Sequence, residues 1–227
     1  IFSGRRRAQV FEDARLLVIN KPSGVASHGG SGISHGAIET MHALRPNQGL
    51  ELVHRLDRDT SGLVVFAKNP SAKQFLQSHW DETTKKYLAI VHGSCEKNSD
   101  TISTYLAENK ARSVYSTPDT SKGKLSHTAY TVLKRTEKFS LLEIDLLTGR
   151  KHQARVHLTG IGHPVVGDDR YGEGKRGYKR LALHATSLSL IHPGSGKRVD
   201  FATIIPPYFV RLVGTLPQAE LLPEKPV

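Results

Sequence analysis

A chain of 227 residues with 37% hydrophobic and 23% charged side chains is long enough to bury a core and too apolar to be a disordered one. Its 32 Lys and Arg against 21 Asp and Glu leave a formal net charge of +11, which favours a polyanionic partner over a basic surface that serves only solubility. Cys95 is the single cysteine and cannot form an internal disulfide; no run reaches the roughly 20 apolar residues of a membrane span and no signal peptide opens the chain, so a cytoplasmic protein is expected.

The first nine residues, IFSGRRRAQ, read as a basic lead-in or linker that starts without methionine. Strands are expected at 10–12 and 16–20, followed by a glycine-rich loop from Lys21 to Gly32. Ser34 stands where it can cap a helix reaching about Leu44. Apolar runs at 52–56 and 63–67 flank the polar loop DRDTSG, and the second run, lacking alternation, predicts a strand buried on both faces. Asn69 and Pro70 open a helix with Ala72, Phe75, Leu76, His79 and Trp80 on one face. Further strands are expected at 87–92, 113–116, 126–134 and 141–147, then a short helix from about Lys151 to the Gly160-Ile161-Gly162 breaker. Strands at 181–184, 187–192 and 198–202 follow, the last two joined as a hairpin through HPGSGK, and a proline-containing tail runs from Thr215. Many strands and few helices, without repeats, predict an α+β domain over 10–214 around a mixed sheet.

Two clusters carry chemistry. In His54-Arg55-Leu56-Asp57-Arg58-Asp59-Thr60-Ser61-Gly62, a strand over the 52–56 run is expected to deliver Arg55 and Asp57 into a loop that Thr60 and Ser61 can brace and Gly62 can close tightly. A salt-bridged surface turn is the plain alternative. In Gly149-Arg150-Lys151-His152-Gln153-Ala154-Arg155-Val156-His157, three cations sit at a strand-to-helix transition, where they can meet phosphates or hold an essential carboxylate ionised. Solvated helix-end charges are the alternative for Arg150 and Lys151.

HRLDRDTSG at 54–62, GRKHQARVH at 149–157 and GHPVVGDDRYG at 162–172 together resemble the RluA-type pseudouridine synthases; LLVINKPSG at 16–24 and LALHA at 181–185 extend the likeness. The HGGSG loop at 28–32, with Ile38-Glu39 and Ala43-Leu44-Arg45-Pro46, is similar to the RluC branch, which acts on large-subunit ribosomal RNA. The resemblance implies the pseudouridine synthase fold: a mostly antiparallel mixed sheet flanked by helices and loops, with a central active-site cleft. It also implies isomerisation of uridine in structured RNA, with large-subunit (23S) ribosomal RNA as substrate and transfer RNA as the alternative.

By that resemblance Asp57 is the catalytic aspartate, Arg155 the arginine that pairs with it, and Tyr87 the tyrosine that stacks on the base. Leu183 packs beneath the site, and Arg55 fills the place of the extruded uridine. One carboxylate can stabilise positive character at the ribose, attack C1′ or remove the 2′ proton, and these alternatives stay open. Lys21, Arg58, Arg150 and Lys151 are phosphate candidates on charge and motif proximity. No cofactor and no metal are implied; RNA is the expected partner, a membrane is not, and a monomer is expected. The RluC branch commonly carries an upstream S4 domain that these residues lack, so the chain is read either as a catalytic portion or as a protein that manages without it. A metal-dependent nuclease using His152, His157, His163, His184, Asp168 and Asp169 is disfavoured, because His152 and His157 are five apart and Asp168 and Asp169 read as turn residues. A non-catalytic RNA-binding module is the remaining rival.

Overall fold

The computed structural model describes residues 9–30, 35–172 and 177–216. They form two compact units: one from the chain up to Thr84 with Ala185–Ile204, the other from Lys85–His184 with the chain from Ile205.

In the first unit, β1 (Gln9–Glu12) runs antiparallel to β2 (Leu16–Lys21), and β2 antiparallel to β4 (Ser61–Ala67), from Leu16 opposite Ala67 to Lys21 opposite Gly62. Every residue of β4 is buried, as its unalternating sequence predicts. The hairpin of β10 (Leu183–Ile191) and β11 (Arg198–Ala202) pairs Ser187 with Ala202 through Ile191 with Arg198; β10 begins in the second unit and continues in the first. Helix α1 spans Ala37–Leu44 and helix α2 spans Pro70–Ser78. Asn69 caps α2 by accepting the Ala72 N–H at 2.8 Å, and Ala72 and Leu76 deliver its buried face to a core of Leu16, Val18, Leu63, Val65 and Leu188.

Three expectations are corrected. The strand expected at 52–56 shrinks to β3 (Glu51–Leu52), because the His54 side chain, stacked 4.6 Å from Trp80, accepts the Val65 N–H that a longer ladder would use. Helix α1 starts at Ala37 after Gly36, and Glu39 turns back to accept the Gly36 and Gly29 N–H groups; Ser34 lies outside the described residues. The two strands expected at 181–184 and 187–192 are one continuous β10.

In the second unit, β5 (Thr84–His92), β9 (Phe139–Leu146), β8 (Lys124–Arg135), β6 (Ser99–Glu108) and β7 (Val114–Thr117) pair in that order, each antiparallel to the next. The sequence reading missed β6, whose Ser-Asp-Thr-Ile-Ser-Thr run is too polar to read as a strand, and helix α4 (Pro207–Val213). Leu216 is buried and the Thr215 carbonyl accepts from Lys134, so the start of the expected tail is docked.

Helix α3 (Gln153–Gly160) lies on β6, β7 and β8 with residues 153–158 all buried, starting two residues later than expected. It is keyed to the strands by polar side chains. Gln153 Oε1 accepts from the Thr148 hydroxyl and the Arg150 N–H, while its Nε2 donates to the His127 carbonyl and Thr128 Oγ1. Both His157 nitrogens face threonine hydroxyls, Thr128 at 2.9 Å and Thr104 at 3.0 Å.

Burial, reinforced by nearby His127, pushes His157 down to about 4. Between that value and the ordinary 6.5 the unfolded chain binds the extra proton, so stability is present above about pH 6.5 and is lost as pH falls toward 4. The slope is up to about 1.4 kcal/mol per pH unit. Urea unfolding at pH 7 and pH 5 should therefore show a lower midpoint at pH 5 for the wild type and a smaller difference for His157→Gln. Equal pH dependence in both proteins would contradict this.

Candidate active site

Asp57 lies on an irregular segment between β3 and β4, half-buried, with no helix or strand of its own to orient it. Its backbone neighbours are held instead by the loop after β2. Ser27 Oγ donates to the Leu56 carbonyl at 2.8 Å and accepts the Leu56 N–H at 2.9 Å. On the other side of Asp57, the Gly24 N–H donates to the Arg58 carbonyl at 2.9 Å and Ser23 Oγ to the Asp59 carbonyl at 2.7 Å. Lys21 completes the clamp: its ammonium donates to the carbonyls of Pro22, Val25 and Arg58 at 3.1, 2.6 and 3.1 Å. The Ala37 and Ile38 N–H groups donate to the Ala26 and Ser27 carbonyls, anchoring the same loop to the start of α1.

Lys21 is therefore corrected from phosphate candidate to internal brace. It is 0% exposed, and an ammonium enclosed by backbone carbonyls does not reach a phosphate. Thr60 and Ser61 are also buried. Gly62, at φ 120°, allows the Ala185 backbone so close that an added Cβ would fall 2.2 Å from the Ala185 carbonyl oxygen. Arg55 and Arg58 are exposed, and Arg58 forms a two-point pair with Asp59 at 3.1 Å.

In the second unit, Tyr87 is half-buried on β5 opposite Ile144, and Leu183 is buried at the start of β10. The segment before Leu183 is tied to β5, with Ile90 N–H donating to the Ala182 carbonyl and Ala182 N–H to the Val166 carbonyl. Arg155 is buried on α3, and its Nε and Nη2 donate to the two carboxylate oxygens of Asp168, both at 2.7 Å. Burial raises the Asp168 carboxyl, but the Arg155 guanidinium and the Tyr171 and Arg170 N–H groups more than offset it and hold the group below the usual carboxylate range. The guanidinium also lies 5.1 Å from the Tyr171 ring. A guanidinium has five N–H donors, of which Asp168 takes two.

Asp168 is the partner of Arg155 that sequence reading missed. It was read as a turn residue, and it does accept the Arg170 and Tyr171 N–H groups, but it is also the buried counter-ion of Arg155. Of the other phosphate candidates, Arg150 is exposed, whereas Lys151 is half-buried and donates to Glu108 and the Arg112 carbonyl. Among the described residues no three His, Cys, Asp or Glu side chains group as a metal site, so the nuclease rival's set does not assemble there.

These elements define a class of protein. Residues 15–159 match the family model for RNA pseudouridylate synthase, and the chain belongs to that family. Its relatives include "Ribosomal large subunit pseudouridine synthase C" of Vibrio cholerae, 42% identical over 84% of this chain, and that of Salmonella typhimurium, 44% identical over 83%. The chain spans about 63% of the length of both relatives. The Pasteurella multocida protein of the same name is 41% identical, with 91% of this chain and 67% of its own length covered. Among solved structures, human RNA pseudouridylate synthase domain containing 1 is similar at a TM-score of 0.77 and 28% identity, covering 94% of this chain and 91% of that one. The human domain containing 4 protein gives 0.76 and 26%, covering 90% and 91%. The expected α+β pseudouridine synthase fold is thereby shown.

The two readings of Lys21 separate cleanly in solution. As an internal brace, Lys21→Met should lower the unfolding free energy by about 1–3 kcal/mol, since carbonyls lose their donor. The salt dependence of RNA binding should not change. A phosphate contact would instead lower the slope of log affinity against log salt by about 1, and that result would restore the surface role.

Proposed function

We propose that this chain isomerises uridine to pseudouridine in structured RNA, with large-subunit (23S) ribosomal RNA as the substrate and Asp57 as the catalytic carboxylate. The observation that carries the reading is the carboxylate of the HRLDRDTSG motif, on a loop whose flanking carbonyls are held from both sides, in a chain of this family. The names of the Vibrio, Salmonella and Pasteurella relatives support the ribosomal substrate.

The reaction breaks the bond from N1 to C1′, turns the base, and joins C5 to C1′; the C5 proton leaves and N1 gains one. Atoms and electrons balance without a redox partner, so no cofactor is required. Stabilising the ribose, attacking C1′ and removing the 2′ proton all need an ionised carboxylate in a fixed orientation, which is what a clamped loop provides. The leaving base must be retained rather than replaced by water, so a dry pocket serves better than the second carboxylate of a glycoside hydrolase.

Tyr87 takes the role of the family tyrosine at the base, and Arg155 that of the arginine the family pairs with its aspartate; the bond to Asp168 fixes that guanidinium in orientation. Leu183 supports the site from below. Arg55, exposed beside Asp57, takes the place of the extruded uridine, an exchange in which unstacking costs only about a few kcal/mol. Arg58, Arg150 and Lys151 contact phosphates. The catalytic domain of this reading runs over 10–214.

Pseudouridine mapping on unmodified ribosomal RNA and on a transfer RNA pool, in chelator, tests the reading. Wild type should convert large-subunit sites. Asp57→Asn should abolish conversion while keeping its unfolding midpoint and RNA affinity. Equal yield from the variant would remove Asp57 from the chemistry; conversion confined to transfer RNA would keep the activity and replace the substrate.

A further inference from the structure

At the far end of β5 from Tyr87, the second unit holds a cavity of about 330 Å³ lined by His92, Gly93, Lys138, Phe139 and Tyr178. We propose that this cavity is a second nucleotide subsite, taking an unpaired nucleotide of the RNA other than the uridine being isomerised. The proposal rests on the RNA-directed reading above.

The cavity joins the two groups that recognise a nucleotide without reading its sequence. One is an aromatic wall. The Tyr178 ring packs edge to face with His92 and Phe139, centroids 5.8 and 5.9 Å away, and the His92 and Phe139 rings lie tilted at 5.6 Å. Phe139 is buried at 7% exposure and backs the wall, while Tyr178 is half-buried and presents ring surface that a base can meet. The other group is a cation. Lys138, exposed in the turn between β8 and β9, is the charged residue of the lining, which contains no carboxylate. A base against Tyr178 places its phosphate within the range of a flexible lysine.

The cavity is held by backbone rather than by chance packing. His92 and Phe139 are register partners at the end of the β5–β9 ladder, and the Gly93 N–H donates to the Lys138 carbonyl at 2.9 Å. The His163 ring lies 2.9 Å from the His92 carbonyl and braces the strand end. His92 is five residues beyond Tyr87 on one strand, a separation of about 17 Å at the usual strand rise, so a nucleotide here is not the one beside Tyr87. A size near 330 Å³ suits one nucleotide and not a helical stem.

Fluorescence anisotropy with a labelled ten-nucleotide oligouridylate, and competition by uridine monophosphate, test the subsite. Tyr178→Ala and Lys138→Glu should each weaken oligonucleotide binding by about tenfold, and Tyr178→Phe should restore it because the ring, not the hydroxyl, carries the stacking. Lys138 is exposed, so its variant reports even if Tyr178→Ala fails to fold. Unchanged oligonucleotide affinity in Lys138→Glu and in folded Tyr178→Ala would overturn the subsite. Competition by the mononucleotide as effective as by the oligonucleotide would assign the cavity to a free nucleotide and also overturn it. Both readouts are binding alone, so a wild type that binds in a Tyr178-dependent way but converts no uridine would sink the proposed reaction while the subsite stands.

Discussion

A carboxylate on an irregular loop has a defined direction only if the loop's own amides and carbonyls are tied down. Around Asp57 the residues from Lys21 to Ser27 do this, closing on Leu56 from one side and on Arg58 and Asp59 from the other. Their ammonium, hydroxyl and amide donors satisfy carbonyls that strand pairing does not reach, since β3 ends at Leu52 and β4 starts at Ser61. The loop in turn hangs from β2, which pairs along its whole length with β4, the strand that Asp57 precedes. The clamp thus closes one end of an antiparallel pair, joining the end of β2 to the segment before β4, with the buried Lys21 at its centre. The carbonyls of Pro22, Val25 and Arg58 all accept from its ammonium.

The second unit solves a similar problem with a helix. Asp168 fixes the plane of the Arg155 guanidinium through two parallel bonds in a nearly dry setting. Helix α3 cannot rotate to release that pair without breaking the bonds that Gln153 and His157 make to Thr128, Thr104 and Thr148. A buried ion pair adds little net stability over an apolar pair, but losing one member leaves a stranded charge, so the arrangement favours one orientation strongly over any other. A tight turn brings Asp168 to Arg155: Gly167, at φ 77°, approaches the Arg180 carbonyl more closely than any Cβ allows.

Sequence revealed what depends on local pattern. The unbroken apolar run of β4, the Asn69-Pro70 start of α2 and the position of Asp57 within a motif all depend on neighbours in the chain. It misled where the deciding partner is remote. Lys21 looked like a surface cation because nothing in Lys-Pro-Ser-Gly announces that the Arg58 carbonyl, 37 residues away, will face it. Asp168 looked like a turn residue because its short-range bonds are real, while its partner Arg155 is 13 residues upstream. β6 was invisible for another reason: its Ser and Thr residues earn their place by pairing along β8, and a two-sided polar strand carries little hydrophobic signal.

Amide hydrogen exchange in the free protein tests most directly whether its own bonds fix the Asp57 loop. The Leu56 N–H, bonded to Ser27 Oγ, and the Gly24 N–H, bonded to the Arg58 carbonyl, should exchange orders of magnitude more slowly than coil amides, and Lys21→Met should speed both. Coil-like exchange at both amides in the wild type would contradict a preset loop and leave the geometry of Asp57 to be fixed by a bound substrate.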